Sequence, residues 1–481
     1  MAIHIYNTLT RRKEEFKPVR EDRVGFYVCG PTVYDYFHIG NARPFIVFDV
    51  IRRYMIYRGY NVRFAMNLTD IDDKIINRAN ELGVESREVA QKFSAAFFED
   101  LQKLGVRPAD FYPRATDHIE DMVALIQRLI DNGVAYESGG DVYFSVKKFP
   151  EYTKLSGKKL EDLRAGERVA IDERKQDAVD FTLWKAAKPG EPWWESPWGK
   201  GRPGWHLECS CMSMKYLGET FDIHAGGQDL IFPHHENEIA QSEGATGKPF
   251  ANYWMHNGFL DLSGVKMSKS LGNFLTARAI LEQFPAAAIR IFYLQKHYRS
   301  PIDFSDEPLQ AAVASSGRIA GTYKKILATL EGADVSGDLD VDSLNGAQEN
   351  YHQTVQKLHE ELVAAMDDDF NTSAALGKFF DLLRETNKFI DSGLESKADF
   401  HLLDLARRNI EDYNEFWGII DQGQSDADNA RVDEAMQAIL GLRQEMRKEK
   451  QFDVADRIRN VLTEAGVIVE DSPEGAKWRW R

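Results

Sequence analysis

The chain contains a pair of potential metal ligands at helical spacing. His234 and Glu238 are four residues apart. Proline suits the first position of a helix, so the sequence predicts a helix from about Pro233 to Glu243. Residues four apart on a helix are neighbours, so His234 should face Glu238, whereas His235 should face elsewhere. The spacing predicts one pair of ligands, and a solvated helix face is the alternative explanation of the same pattern.

The three cysteines, Cys29, Cys209 and Cys211, are too few and too unevenly spaced for a disulfide framework. Two thiolates, one imidazole and one carboxylate form a ligand set that suits zinc. Cys29 and Cys209 would complete such a set with His234 and Glu238 if the fold brings them together. We interpret Cys211 as a buried structural residue, which is the ordinary role of a lone cysteine.

Two other segments have the chemistry of phosphate binding. Lys266 and Lys269 are three residues apart in a stretch rich in serine and glycine, and they could close over an anionic ligand. An exposed basic loop is the alternative. His38 and Gly40 lie at the predicted start of a helix, where free backbone N–H groups attract phosphates. No G-x-G-x-x-G pattern follows the predicted strand from Val24 to Cys29, and the Walker A pattern does not occur, which removes the main support for those two nucleotide folds.

The elements that must position these residues follow a β-α-β-α order. Val24 to Cys29 is an apolar run typical of a buried strand, Gly40 to Arg58 has helical spacing, and Asn61 to Leu68 resembles a second strand. This order predicts a parallel sheet, in which ligands bind beyond the carboxyl ends of the strands. Thr69 should lie at such an end. We also predict a short strand from Asn257 to Leu262.

The length of 481 residues predicts two to four domains. The composition, with 43% hydrophobic and 28% charged residues, excludes a disordered or collagen-like chain. The net charge of −16 argues against a generally basic nucleic-acid coat protein. We expect no membrane span and no secretory signal, and we therefore expect a cytoplasmic protein.

Several segments together resemble a known family. The stretch His38-Ile39-Gly40-Asn41 and the stretch Lys266-Met267-Ser268-Lys269-Ser270 are similar to the paired signature of class I aminoacyl-tRNA synthetases. Within that class, the chain resembles the cysteinyl-tRNA synthetases over essentially its whole length. The segments that carry this likeness are Tyr27 to Asp35, Asn67 to Lys74, Gly204 to Ser210 and Phe221 to Glu238.

The resemblance implies a ligase that activates L-cysteine with ATP to cysteinyl-adenylate and transfers the cysteinyl group to the 3′ end of tRNA(Cys). It assigns His38, Gly40, Lys266 and Lys269 to ATP, which would be accompanied by Mg²⁺. The class signature ends in a second histidine, whereas this chain has Asn41, which donates a hydrogen bond but carries no proton. We therefore expect His38 to have the larger part in catalysis and Asn41 to be an accessory donor.

The resemblance also implies one Zn²⁺ per chain, bound by Cys29, Cys209, His234 and Glu238. Zinc prefers a thiolate to a hydroxyl, so such a site would reject serine without an editing step. The resemblance also implies four residues that contact the rest of the amino acid, namely Gly30, Thr69, Trp205 and Asp229.

The implied architecture is an α/β chain with a Rossmann-like catalytic domain formed by residues 1–114 and 201–308. Residues 115–200 would be an insertion that approaches the acceptor end of tRNA. Residues 309–422 have helical periodicity and should form a bundle, and residues 432–481 should form a small α+β anticodon-binding domain. We expect a monomer. Basic and aromatic residues predicted to contact the anticodon are Arg443, Arg447, Lys448, Lys450, Trp478 and Trp480.

Two other functions are compatible with parts of the sequence. A ligase that joins cysteine to an amino-sugar acceptor would use the same adenylation and zinc chemistry, but it would not need the C-terminal domains. A tRNA-binding protein without catalysis is suggested by Asn41, and the other site residues argue against it.

Overall fold

A four-stranded parallel sheet in the order β10-β9-β3-β4 is the centre of the computed structural model. The structure describes residues 2–161, 174–262, 265–266, 275–420, 426–449, 451–464, 467–472 and 475–480. The pairs β3–β4, β3–β9 and β9–β10 are all parallel, so their carboxyl ends lie at one edge. The predicted α/β class and parallel sheet are therefore confirmed.

The strands are β1 (His4–Asn7), β2 (Arg12–Glu15), β3 (Val24–Val28), β4 (Val62–Met66), β5 (Ala135–Ser138), β6 (Asp141–Phe144), β7 (Phe181–Ala186), β8 (Gly201–Pro203), β9 (Phe221–Gly227), β10 (Ala251–Asn257), β11 (Leu260–Leu262), β12 (Val265–Lys266), β13 (Ile302–Asp303), β14 (Val467–Ser472) and β15 (Gly475–Trp480). The helices are α1 (Ile39–Tyr57), α2 (Asp73–Leu82), α3 (Ser86–Lys103), α4 (Ile119–Asp131), α5 (Trp205–Leu217), α6 (Glu236–Thr246), α7 (Ala277–Leu281), α8 (Ala286–Leu294), α9 (Asp306–Leu330), α10 (Gly346–Asp367), α11 (Thr372–Asp391), α12 (Lys397–Trp417), α13 (Asp426–Lys448) and α14 (Phe452–Glu464).

The first crossover helix, α1, begins one residue before the predicted start. His38 caps it, because its Nδ1 accepts a hydrogen bond from the backbone N–H of Asn41 at 3.2 Å. The helix ends before Gly59, whose φ of 88° is the left-handed conformation that glycine adopts readily. Arg43 is fully buried in the first turns and donates to the carbonyl groups of Gly258 and Phe259. This contact fixes the start of α1 against the segment that follows β10.

The predicted strand from Asn257 to Leu262 is wrong in one respect. Asn257 is the last residue of β10, and β11 begins only at Leu260. The break lies at Gly258, where a Cβ atom would be 2.6 Å from the backbone of Ser300. The approach of another backbone segment therefore divides what reads as one apolar run into two strands.

Between the two parts of the sheet, the chain forms an antiparallel sheet in the order β5-β6-β7-β8. Helix α4 packs beside it, and its buried side chains include Met122 and Leu129. They belong to the same hydrophobic cluster as Trp184 of β7 and Leu207 of α5. The chain between β4 and β9 thus departs from the parallel sheet, as the sequence pattern indicates.

Helices α9 to α12 follow the sheet and confirm the predicted helical character of this part of the chain. Asn371 caps α11 by accepting from the N–H of Ala374. Arg290 on α8 joins the helical region to the region of the parallel sheet. It forms a buried ion pair with Asp49 on α1, 2.9 Å apart, and it donates to the carbonyl of Trp417 at the end of α12. None of the helices within the described residues combines the length and apolar character needed to cross a lipid bilayer.

Residues 421–481 form a unit of their own. Within it, α13 and α14 precede an antiparallel hairpin of β14 and β15, as the sequence predicts for two helices and a hairpin. Arg443 is one of the basic residues predicted to contact the anticodon. The prediction is wrong for this residue, because its side chain is only 1% exposed. It lies on the face of α13 that also buries Met436 and Leu440. Lys450 lies outside the described residues.

Candidate active site and metal centre

A cavity of about 350 Å³ opens at the carboxyl edge of the parallel sheet. Each strand contributes to its wall through a residue at or just beyond its end. These residues are Gly30 after β3, Asn67 after β4, Gly227 of β9 and Asn257 of β10. The location agrees with the expectation that ligands of a parallel sheet bind beyond the carboxyl ends of its strands.

Four buried side chains with metal-binding atoms meet at one side of this cavity. The ligand atoms of Cys29, Cys209, His234 and Glu238 all lie within 4.8 Å of one another. The two sulfur atoms are 3.8 Å apart, and His234 Nε2 is 3.0 Å from Glu238 Oε1. Tetrahedral zinc with ordinary bond lengths requires ligand atoms roughly 3.3–3.8 Å apart. The donor types and the separation of the two sulfur atoms therefore fit a zinc ion, and the His234–Glu238 pair would open by roughly 0.3 Å to bind it.

Each of these side chains is held by a different element. Cys29 follows β3, and its N–H donates to the carbonyl of Ala225 on β9. Cys209 lies on α5, and Glu238 lies in the first turn of α6. His234 lies in the tight turn Ile231–His235 that precedes α6. The cluster thus depends on the packing of both helices against the end of the sheet.

The electrostatics of the cluster favour a cation. Burial opposes ionisation of Glu238, yet the charges of His224 and His234 lower the pKa of its carboxyl group to about 2. Burial also opposes ionisation of Cys209, but the hydrogen bond from Cys29 helps to lower the pKa of its thiol to about 6. Burial raises the pKa of Cys29 well above its usual value. A carboxylate and a thiolate are thus held together out of water, where a divalent cation would neutralise them.

The predicted orientation of His235 is wrong. His235 Nε2 lies 3.3 Å from Cys29 Sγ and 4.0 Å from Glu238 Oε1, so this side chain also points into the cluster. The α-helix begins at Glu236 rather than at Pro233, but His234 still faces Glu238 at the predicted spacing of four residues. His235 is three residues before Glu238, and residues three apart on a helix are also neighbours. The prediction failed because it considered only the spacing of four.

Trp205 begins α5 and lines the cavity. Its ring stacks on the imidazole of His234, with centroids 4.3 Å apart and planes 27° apart. Asp229, in the short turn after β9, also lines the cavity. The structure thus places both predicted amino-acid contacts beside the metal-binding cluster.

Gly30 also lies in the cavity wall, and its position requires glycine. A Cβ atom there would be 1.8 Å from the carbonyl oxygen of Asn67. The N–H of Gly30 donates to Asn67 Oδ1 at 2.8 Å. Thr69 is not among the residues that line the cavity; its side chain is buried and donates to Glu208 Oε2 at 2.7 Å. The predicted contact of Thr69 with the amino acid stays a prediction.

The first signature segment lies beside the cavity. His38, Gly40 and Asn41 line it, and a Cβ atom at Gly40 would be 2.9 Å from His38 Nδ1. The N–H of Ile39 donates to the carbonyl of Leu275, the first described residue after the lysine segment. Lys269 lies outside the described residues, as does the side chain of Lys266.

Before the lysine segment, β12 pairs with β11, with Lys266 opposite Asp261. Leu260, at the start of β11, lines the cavity. The described residues before and after the lysine segment thus include Leu260 in the cavity wall and Leu275 beside the start of α1.

Sequence reasoning did not identify Glu208 or the histidines behind the cluster. His206 Nδ1 is 2.8 Å from His234 Nδ1, and His256 Nε2 is 2.8 Å from His235 Nδ1. His224 Nε2 is 2.7 Å from Glu238 Oε2. Isolated histidines in strands and helices are most often packing residues, so only the assembled fold reveals that these side chains meet.

Three family models match the chain. They are described as the tRNA synthetases class I (C) catalytic domain at residues 15–314, the DALR domain at residues 361–421, and the Cysteinyl-tRNA ligase anticodon binding domain at residues 429–479. Cysteine--tRNA ligase of Heliobacterium modesticaldum is 50% identical over 482 residues and covers 100% of both chains. Cysteine--tRNA ligase of Thermococcus onnurineus is 49% identical and covers 100% of this chain and 99% of its own.

Solved structures show the same fold at much lower sequence identity. Methionyl-tRNA synthetase of Mycobacterium tuberculosis in complex with methionyl-adenylate has a TM-score of 0.63 at 19% identity, over 82% of this chain and 90% of its own. A leucyl-tRNA synthetase complex from Agrobacterium radiobacter has a TM-score of 0.62 at 12% identity, over 84% of this chain and 86% of its own.

Proposed function

The chain belongs to the cysteine–tRNA ligases of the class I aminoacyl-tRNA synthetases and attaches cysteine to tRNA(Cys), and we propose that a zinc ion selects its amino acid. Cysteine and ATP first form cysteinyl-adenylate and pyrophosphate. A hydroxyl of the terminal adenosine of tRNA then attacks the carbonyl carbon, which releases AMP. The comparisons support neither a tRNA-binding protein without catalysis nor a ligase for an amino-sugar acceptor.

The observation that carries the proposal is the group of four buried donors beside the cavity. Cys29, Cys209, His234 and Glu238 would hold one Zn²⁺ per chain. When bound, zinc supplies a strong preference for a thiolate over a hydroxyl, and this would separate cysteine from serine, which differ in one atom. Cys29, Cys209 and His234 line the cavity, so a metal among these donors faces the substrate.

Other residues of the cavity would hold the rest of the cysteine molecule. Asp229 provides a carboxylate for the substrate's ammonium group, and the Trp205 ring closes the space around a small side chain. Gly30 leaves room near the sheet edge because it has no side chain. We assign Thr69 to the amino-acid site as well, through its bond to Glu208, which immediately precedes Cys209.

The start of α1 would bind the phosphates of ATP, accompanied by Mg²⁺. His38 and the Gly40 backbone lie at a helix N-terminus, which has the positive end of the helix dipole. Asn41 is an accessory donor, and Lys266 and Lys269 would stabilise the charge that develops on pyrophosphate. The attack by the cysteine carboxylate at the α-phosphorus would thus be accelerated by preorganised positive charge.

We assign a separate role to each region of the chain. Residues 1–114 and 201–308 would carry out catalysis, residues 115–200 would approach the acceptor end of tRNA, and residues 309–422 would form a connecting bundle. Residues 432–481 would read the anticodon, in agreement with the anticodon-binding family model over 429–479. A monomer in the cytoplasm suffices for this scheme, because every assigned site residue is on one chain.

Cysteine-dependent exchange of pyrophosphate into ATP tests the proposal, with serine measured in parallel and with zinc removed and restored. We expect exchange with cysteine only, its loss on removal of the metal, and its recovery on addition of Zn²⁺. A matched control is Cys211→Ser, because Cys211 is buried in a separate apolar cluster. Equal exchange with and without the metal would refute zinc as the source of selectivity, and no exchange in the zinc-loaded protein would refute the reaction.

A further inference from the structure

A second group of four donors lies directly behind the first. Cys29, His224, His235 and Glu238 also place one ligand atom each within 4.8 Å of one another. The separations include 3.3 Å from Cys29 Sγ to His235 Nε2 and 3.5 Å from Cys29 Sγ to Glu238 Oε1. These values resemble the separations that tetrahedral zinc requires, roughly 3.3–3.8 Å. We call this group the inner site and the group with Cys209 and His234 the cavity site.

The two sites are built on the same plan. They share Cys29 and Glu238, and consecutive histidines complete them, His234 in the cavity site and His235 in the inner site. Each of these histidines has its Nδ1 2.8 Å from a further histidine, His206 or His256. Histidines that bind metals use one ring nitrogen while the other is held by a hydrogen bond that fixes the ring.

The chain of contacts behind His235 continues. His256 Nδ1 lies 2.8 Å from the hydroxyl of Thr8, so the ring of His256 is fixed from both sides. His224 is oriented by stacking on Trp254, with ring centroids 4.5 Å apart and planes 15° apart. Both inner-site imidazoles are therefore held before any ligand arrives.

The net charge of the inner site with a bound zinc ion suits its deep burial. His224, His235 and Glu238 are all 0% exposed. One thiolate and one carboxylate balance the two charges of a zinc ion, so the loaded inner site is neutral. The cavity site has a second thiolate and would retain one negative charge. Because an unbalanced buried charge is costly, the neutral set is the appropriate one for the deeper position.

We infer that the inner site is a second binding position for Zn²⁺ or a similar divalent ion, distinct from the position that faces the substrate. Of the four inner-site ligands only Cys29 lines the cavity, so an ion bound there lies behind the cavity wall. Because both positions need Cys29 and Glu238, one chain holds one ion at a time. The inference goes beyond the proposed function, which needs the cavity site alone.

The test is zinc stoichiometry in variants that remove one site but not the other. Cys209→Ser/His234→Asn removes the two ligands unique to the cavity site, and Cys29→Ser removes a ligand of both. After loading with Zn²⁺ and gel filtration, we expect about one zinc per chain in the wild type and in the double variant. We expect almost none in Cys29→Ser. The double variant should have lost cysteine-dependent pyrophosphate exchange.

Cobalt substitution provides a readout independent of activity. Co²⁺ in the double variant has one thiolate ligand in place of two, so its sulfur-to-cobalt absorption should fall to about half that of the wild type. Zinc or cobalt binding in the double variant that is no greater than in Cys29→Ser would overturn the inference. The proposed function would stand in that case, because the wild type would still bind zinc.

If the double variant does not fold, a second pair of variants, which keeps His234, tests the inference. Cys209→Ser keeps the complete inner site, and we expect it to retain about one zinc per chain. Addition of His235→Asn should then reduce the bound zinc at least about tenfold, as expected when a ligand is lost. Equal zinc in the two proteins would overturn the inference. Circular dichroism of each variant confirms that it is folded.

Discussion

The substitution Thr69→Val tests whether the two cysteines are held together by a chain of hydrogen bonds. Thr69 Oγ1 donates to Glu208 Oε2 at 2.7 Å, and Glu208 immediately precedes Cys209 on α5. Asn67 Nδ2 lies 3.4 Å from the same hydroxyl, and Asn67 Oδ1 accepts from the N–H of Gly30. Because Gly30 immediately follows Cys29, the chain of bonds joins the backbone beside one sulfur to the backbone beside the other.

The structure sets the size of the effect. Valine has the shape of threonine but no hydroxyl, so Glu208, which is 1% exposed, would lose its hydrogen-bond donor. Removing one partner of a buried polar group costs about 1–3 kcal/mol. We expect the free energy of unfolding to fall by about that amount. If this loss of free energy falls on the metal-bound form of the cavity site, each 1.4 kcal/mol weakens zinc binding about tenfold.

The assay combines urea unfolding with competition for zinc by a chelator, and the Michaelis constant for cysteine is measured in the pyrophosphate exchange reaction. Thr10→Val, at an exposed position, is the matched control and should change none of these quantities. A raised Michaelis constant with unchanged zinc affinity and stability would show that Thr69 serves only the substrate. Unchanged values of all three would refute the role of Thr69 in the chain of bonds.

Two other substitutions have defined outcomes. Trp205→Ala removes the ring stacked on His234, a contact of a kind that contributes about 0.5–1.5 kcal/mol, so the Michaelis constant for cysteine should rise about two- to tenfold while that for ATP is unchanged. An equal rise for both substrates would contradict the placement of Trp205 beside the amino acid. Asp49→Asn removes the counter-charge of the buried Arg290 and should lower the free energy of unfolding by about 3–5 kcal/mol. The half-exposed Asp381→Asn should lower it by less than about 1 kcal/mol, and equal losses would contradict this account.

The parallel sheet and the position of the site could be predicted because they depend on local patterns. Apolar runs separated by a helical period predict β3, α1 and β4, and the rule for strand ends places Cys29 and Thr69 at one edge. The position of Cys209 beside Cys29 could not be derived in the same way. It depends on the packing of α5 against residues 180 positions earlier in the chain, and spacing gives no information about that distance. Only the likeness to a known family supplied it.

The errors occurred where one spacing rule was applied alone or where burial overrides residue type. His235 points into the cluster because residues three apart on a helix are neighbours as well as residues four apart. Arg443 is a charged residue in a basic stretch, yet it is buried, because the face of α13 on which it lies packs inside its unit. Charge patterns predict exposure only when the apolar partners of a helix are known, and for a short terminal unit the sequence does not define them.

In the proposed function, the loop between β3 and α1 connects selection of the amino acid to binding of ATP. Its first residue, Cys29, belongs to the metal-binding cluster, and its last residue, His38, caps the helix whose N-terminus we assign to the phosphates. All residues from 29 to 38 line the cavity. The loop is not free to adjust at one end alone, because the N–H of Val33 donates to the carbonyl of Thr69 and the N–H of Thr69 donates to the carbonyl of Pro31.

Those two bonds fix the middle of the loop to the end of β4, between its two functional ends. A displacement of Cys29 therefore strains the short segment that leads to His38, because the middle of that segment cannot move freely. Adenylate formation requires the cysteine carboxylate and the α-phosphorus to be held within reacting distance. If the cluster at the start of this loop selects cysteine as we propose, we expect it to affect the rate of activation as well, through the ten residues of backbone that line the cavity.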